Sequence, residues 1–247
     1  MTIDWHPLRE ALSACRRADL PVPVWWRDDD AIEPTPQLDQ LAQLSEKVGV
    51  LVHLAVIPEP ATRTLANTLP TCFVPVVHGW SHTDHSGGVG KKNEFRTPRP
   101  SAVAEAAQGL DRMTALFGGR ARPMFVPPWN RINDTVTDAL AEAGYTTLST
   151  FGPRTAQLAT EGVRQINTHI DPIFWKGTRD LVDPDHLILQ TAAHLNARCR
   201  GDEDAAEPLG LLTHHLVHTP AIWSFVEGFM HEMMLGGATP WALENEE

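Results

Sequence analysis

Residues 21–31 read PVPVWWRDDDA, an apolar, β-favouring run from Val22 to Trp26 that ends abruptly in Arg27 and three consecutive aspartates, Asp28, Asp29 and Asp30. Adjacent carboxylates repel unless a cation or a basic group offsets their charge, so Arg27 or a metal ion is expected beside them. Taken alone, three aspartates after a strand read first as a solvated helix-capping or turn cluster, because Asp favours turns. The rest of the chain gives the run its meaning. Similar apolar segments recur at Val50–Val56, Phe73–Val77, Met124–Val126, Thr146–Thr150, Val163–Thr168 and Leu209–Thr213, which makes about seven candidate strands.

Helical periodicity separates several of them. The clearest case is Pro36–Lys47, with Thr35 to cap it, Leu38, Leu41 and Leu44 as an apolar stripe, and Gly49 to end it. Ser101–Phe117, Asp134–Ala143, Asp183–Cys199 and Thr219–Leu235 read as further helices. Strand and helix in alternation imply parallel strands, in a barrel or an open doubly wound sheet. Polar residues decide for the barrel. Asp28–Asp30, His78–His85, Pro127–Asn130, Thr168–Asp171 and His214–His218 all fall at the C-terminal ends of predicted strands, the rim where α/β barrels build their sites.

A length of 247 residues suits one domain over 1–247. A formal net charge of −11 argues against nucleic acid or an anionic membrane as partner and makes a neutral or cationic substrate the easier one to accept. The three cysteines, Cys15, Cys72 and Cys199, are scattered, so neither a disulfide framework nor a thiolate zinc site is expected. The opening residues lack a basic stretch followed by an apolar core, no apolar run reaches about 18 residues, and cytoplasmic residence is the expectation. Ser86–Pro100, rich in Gly and Pro, reads as a long loop beside the histidines, in the position of a lid.

The segment HGWSHTDH, residues 78–85, follows the run FVPVV. His78 and His82 are four apart with Gly79 to turn the backbone between them, so both imidazoles can face one ion, with His85 as an additional candidate. Imidazole and carboxylate together suit zinc and similar divalent metals. His53, in mid-strand, is assigned to the core.

An aspartate pair closing the first strand, then a histidine pair at i and i+4 some fifty residues on, resembles the NodB-homology polysaccharide deacetylases, carbohydrate esterase family 4 and its relatives. The resemblance spans residues 24–218 and implies a distorted (β/α) barrel of about seven parallel strands. It implies Asp29 as catalytic base and Asp30 as metal ligand with His78 and His82, the register one residue earlier, Asp28 and Asp29, being the alternative. FVPPWN, residues 125–130, is similar to the family's third motif, whose aromatic residue, here Trp129, offers a backbone amide to the oxyanion. The motif's arginine is missing. Val126 stands in its place, and Arg27 or Arg131 is the expected substitute. NTHIDPIFW, residues 167–175, resembles the fourth motif through Asp171 and Trp175, with His169 as an extra histidine. LLTHHLVH, residues 211–218, resembles the fifth, which makes His214, or secondly His215, a general acid oriented by Asp171.

What the resemblance implies is a metal-dependent hydrolase, with zinc as the expected ion, that removes an N-acetyl group from an amino sugar or polysaccharide precursor. Trp80, Pro128, Asn130 and Trp175 are the expected substrate contacts. The same metal centre acting on another non-peptide C–N bond, a non-catalytic carbohydrate-binding barrel, and a metal-free binding protein are the alternatives.

Overall fold

The computed structural model describes residues 3–243. Helix α1 (His6–Arg17) leads into β1 (Pro23–Ala31), which runs five residues past the expected end and carries all three aspartates within the strand. The order continues α2 (Pro36–Val48), β2 (Val52–Val56), α3 (Arg63–Thr68), β3 (Phe73–His78), α4 (Ala102–Phe117), β4 (Met124–Val126), α5 (Asp134–Ala139) and β5 (Thr147–Leu148). It ends with β6 (Leu158–Thr160), β7 (Val163–Gln165), α6 (Pro184–Arg200), β8 (Leu209–Thr213), α7 (Pro220–Leu235) and β9 (Thr239–Pro240).

Strands β8, β1, β2, β3, β4, β5 and β7 pair in that spatial order, all in parallel. The residues after β7 then carry the sheet across to β8. Thr168 N–H still donates to Thr150 C=O (3.1 Å), whereas His169 N–H reaches Gly210 C=O (2.7 Å) and Leu212 N–H reaches Ile170 C=O (2.8 Å). Seven parallel strands thus form the expected distorted barrel, with an irregular segment in place of a regular strand at its seam. The short strands β6, antiparallel to β7, and β9, beside the start of β1, were not expected; neither reaches the site.

Side-chain alternation sorts the core into two layers. Trp25, Ala55, Val76, Met124, Val126 and Ile166 pack inside the barrel, while Val24, Trp26, Leu54 and Val77 join the larger layer between sheet and helices. Strands β2 and β3 are buried on both faces, which is why they read as unbroken apolar runs. The signals for α2 hold: Leu38 N–H donates to the Thr35 hydroxyl (3.1 Å) and Gly49 takes a left-handed φ of 71°. The expected helix from Asp134 stops at Ala139, four residues short, in turns ending at Gly144 (φ 89°).

Two other expectations change. The loop after His85 is long, but its second half is pinned: Asn93, Glu94 and Phe95 are buried, and the Phe95 ring meets Phe125 edge-on. A lid over the whole of Ser86–Pro100 is therefore excluded. The cysteines are not all scattered in space, for Cys15 on α1 and Cys199 on α6 bring their sulfurs to 3.2 Å. No helix among the described residues is long and apolar enough to cross a membrane.

Candidate active site

Alternation along β1 places Trp25, Arg27 and Asp29 on the inner face, so Arg27 and Asp29 are neighbours two residues apart. The guanidinium grips the carboxylate with both prongs, Nε to Oδ1 at 2.9 Å and Nη2 to Oδ2 at 3.0 Å. Its remaining donors reach Ser149 Oγ (2.7 Å), Thr150 C=O (3.3 Å) and Asn130 Oδ1 (2.7 Å). Arg27 is fully buried and Asp29 only 3% exposed, so the orientation of Asp29 is fixed from below. Of the two arginines expected as candidates, Arg27 and not Arg131 holds Asp29.

Asp28 faces the other way. Its carboxylate, fully buried, accepts from Thr213 Oγ1 (2.6 Å), His215 N–H (3.0 Å) and His215 Nδ1–H (2.5 Å). Burial works against its ionised form, but the adjacent His215 imidazole overrides that and lowers its pKa, while the same pairing raises that of His215. Asp28 and His215 are thus a closed pair beneath the helices, away from the cleft, and both alternatives that invoked them are removed.

A regular strand would turn Asp30 outward with Asp28. Instead the ladder slips between Asp29 and Ala31, and Asp30 sits at φ 78° as the extra residue of a bulge, which swings its carboxylate into the cleft beside Asp29. There Oδ1 lies 3.1 Å from His78 Nε2 and 3.3 Å from His82 Nε2. His78 Nδ1 is 3.0 Å from the Val126 carbonyl and must donate to it, so neutral His78 presents an Nε2 lone pair to a carboxylate. Such a contact is satisfied either by a proton on Nε2, which makes His78 a cation donating to Asp30, or by a metal ion that both atoms ligate. Burial would raise the Asp30 carboxyl, but His78, then His214 and His82, hold it well below the usual carboxylate range. His78 is raised, because Asp29 and Asp30 outweigh its burial, and His82 is lowered by its own burial and by His78. One carboxylate oxygen and two imidazole nitrogens within 4.8 Å of one another fit a divalent ion; among the described residues no other such group forms, and His85 is not part of it.

Gly79 allows the approach. At φ 59° a Cβ there would meet Glu94 Oε2 at 2.3 Å and the Pro128 ring at 2.6 Å. Buried Glu94 in turn accepts from the backbone N–H of Trp80 (3.2 Å) and Ser81 (2.8 Å), tying down the turn that carries His82.

Asp29, Asp30, His78 and His82 open into a cleft of about 630 Å³ that Trp129, Asn130, Asp171, Trp175 and His214 also line. His214 Nε2 lies 4.0 Å from Asp29 Oδ2, and its ring meets Trp175 edge-on at 4.7 Å. The orientation of His214 by Asp171 that the resemblance implies is not made through a hydrogen bond: Asp171 accepts from Ile173 N–H (2.9 Å) and the Trp175 indole N–H (2.7 Å), while His214 Nδ1 is buried without a partner. Burial raises the Asp171 carboxyl. His169 belongs to the framework, between Glu207 and the Gly210 amide. His53 is core, as expected; burial lowers its pKa to about 4.

Two expected substrate contacts are corrected. Trp80 turns from the cleft and packs against the outer core, because the turn that aims His82 inward sends the residue after Gly79 outward. Pro128 is buried against Gly79 rather than exposed to the cleft. Unforeseen lining residues are Lys92, Arg131, Phe151, Arg179 and Leu212. Of the six non-glycine residues with left-handed φ among those described, Asp30, His82, Trp129, Asn130 and Arg179 line this one cleft. Such conformations cost of order 1–3 kcal/mol each and gather where geometry serves function.

No protein-family model matches the chain, and neither does any curated protein. Solved structures do. A family 4 carbohydrate esterase from Streptomyces lividans, in complex with acetate, aligns with a TM-score of 0.55 at 13% identity, over 91% of this chain and 94% of that one. Peptidoglycan deacetylase PdaC from Bacillus subtilis aligns with a TM-score of 0.55 at 15% identity, over 92% and 90%. A mutant of a CE4 family pseudoenzyme with restored enzymatic activity aligns with a TM-score of 0.54 at 15% identity, over 89% and 65%. At such identities the shared property is the fold, and the chemistry rests on this chain's own residues.

Proposed function

We propose that the cleft is the centre of a metal-dependent deacetylase, which hydrolyses the N-acetyl amide of an amino sugar. The observation that carries this reading is the convergence of acceptor atoms from Asp30, His78 and His82 beside a carboxylate, Asp29, held by a buried arginine. Zinc is the proposed ion, since one carboxylate and two imidazoles leave an open position of the kind found in catalytic zinc sites. When bound, it supplies a Lewis acid for the acyl carbonyl and lowers the pKa of water from 15.7 toward about 7.

The chain's own groups then divide the proton traffic. Asp29, fixed by Arg27, takes the proton from the attacking water. His214, on the far side of Asp29, gives one to the departing amine. The Trp129 backbone N–H is the donor assigned to the oxyanion, a contribution of around 3 kcal/mol where such a donor is well placed. Trp129 and Trp175 supply apolar faces for a sugar ring.

The test is acetate release from N-acetylglucosamine oligomers by zinc-loaded protein, with metal content measured in parallel. Turnover cut about 10²–10⁴-fold by Asp29→Asn at unchanged metal content is the expected result. Folded, metal-loaded protein that cleaves no N-acyl sugar would overturn the reading.

A further inference from the structure

Three cations line the cleft of a chain whose formal net charge is −11: Lys92, Arg131 and Arg179. None is used by the chemistry above. Among the described residues, neither Arg131 nor Arg179 is ion-paired with a carboxylate. Arg131 is half-buried and anchored through Nη1 to the Lys92 carbonyl (2.5 Å), which leaves other N–H groups of its fork uncommitted. Burial and neighbouring Arg96, another cation, both lower the Arg131 pKa, so this corner of the cleft is positive without local relief. Arg179 holds a left-handed φ of 57° on the loop that follows Asp171 and Trp175. The three cleft carboxylates do not cancel this charge. Asp29 is neutralised by Arg27 and Asp30 faces the proposed ion, which leaves Asp171, hydrogen-bonded only to neutral donors, as one carboxylate against three cations.

A neutral sugar gives such groups nothing to bind, whereas unpaired guanidinium forks match the paired oxygens of phosphate and carboxylate. A positive cleft on a negative molecule also concentrates anions against the overall field. We propose that the substrate is an N-acyl amino sugar that carries an anionic group, a phosphate or a carboxylate, met by Arg131 and Arg179. This rests on the deacetylase reading and reverses the preference for a neutral or cationic substrate drawn from net charge.

The experiment compares kcat/KM of zinc-loaded protein for N-acetylglucosamine, its 1-phosphate and its 6-carboxylate, with calorimetric binding of each. At least one anionic sugar is expected to be preferred about tenfold or more over the neutral one at low salt, and the better of the two identifies the group. In Arg131→Gln and Arg179→Gln the ratio of anionic to neutral should fall about fivefold, and added salt should lower it in the wild type. Equal turnover of neutral and anionic sugars would overturn this proposal and leave the deacetylase reading standing. Arginine-dependent binding of an anionic sugar without turnover of any would support anion recognition and overturn deacetylation. Neither binding nor turnover would overturn both.

Discussion

Replacing Arg27 by Met tests the arrangement at its base, because it removes the charge and keeps much of the aliphatic volume. Arg27 and Asp29 are almost wholly out of water, and the guanidinium makes two hydrogen bonds to Asp29 and three to Ser149, Thr150 and Asn130. Deleting one member of a buried ion pair leaves the other uncompensated, at a cost of about 3–5 kcal/mol. For a chain of this size that is a fall in melting temperature of about 6–20 °C. The assay is urea unfolding after chelation, so that metal binding does not mask the loss. A double-mutant cycle isolates the cause. In an Asp29→Asn background the carboxylate charge is gone, and Arg27→Met should cost about 2 kcal/mol less than in the wild type. Arg27→Lys keeps the charge but loses the fork, and kcat should fall about 100-fold through misplacement of the base. A stability loss within about 1 kcal/mol of zero for Arg27→Met, or a loss unchanged by Asp29→Asn, would refute the clamp.

Asp28→Asn should lower stability by about 1.5–3 kcal/mol through its buried bonds to His215 and Thr213, whereas Asp29→Asn should cut kcat by about 10²–10⁴. Equal losses of kcat in both, measured well below the unfolding temperature, would restore the earlier register. His53 donates from Nδ1 to the Trp26 carbonyl and accepts at Nε2 from Leu243 N–H, so its folded pKa of about 4 lies below the unfolded value of about 6.5. Between those values the unfolded chain binds the extra proton, and stability should decline by about 3 kcal/mol as pH falls from 6.5 to 4. His53→Gln should flatten that part of the stability profile; an unchanged slope would exclude His53 as its source. Gly79→Ala meets Glu94 and Pro128 at a left-handed φ, so a loss of at least about 2 kcal/mol is expected. Zinc affinity should fall with it, and a variant of wild-type stability and affinity in urea and metal titrations would show that the turn tolerates a Cβ.

The candidate metal site was legible because acceptor-rich residues at strand tips have few other uses, and a glycine between two histidines announces a close turn. The choice between Arg27 and Arg131 for the clamp stayed open for a simple reason. With β1 ended at Trp26, Arg27 belongs to a turn and its side chain has no defined direction; with β1 continued to Ala31, period two puts it on the face of Asp29. Trp80 was expected as an apolar wall and Pro128 lies in the motif of Trp129, but a turn sharp enough to aim one residue into a cleft aims its neighbour out of it. The cationic lining was hidden by the net charge, which averages over a surface what a cleft concentrates.

The two adjacent acids and two adjacent histidines show how the fold completes what the sequence leaves open. Asp28 and Thr213 are register partners on parallel strands β1 and β8, so the residues that follow them emerge side by side. Alternation sends Asp28 outward, where the turn after Thr213 brings His215 to meet it, and sends Asp29 inward, with His214 4.0 Å away. The motifs put Asp29 before Asp28 and His214 before His215 but leave the second choice open in each case, since each pair is chemically identical. Only the parity of the strand closes it, and parity depends on a register that becomes fixed when the barrel assembles. One consequence is that a single-residue insertion between Trp26 and Arg27 should exchange the roles of the whole segment. It would carry Arg27 and Asp29 to the helix side and Asp28 toward the cleft, and cost both stability and metal binding even though every motif residue is retained.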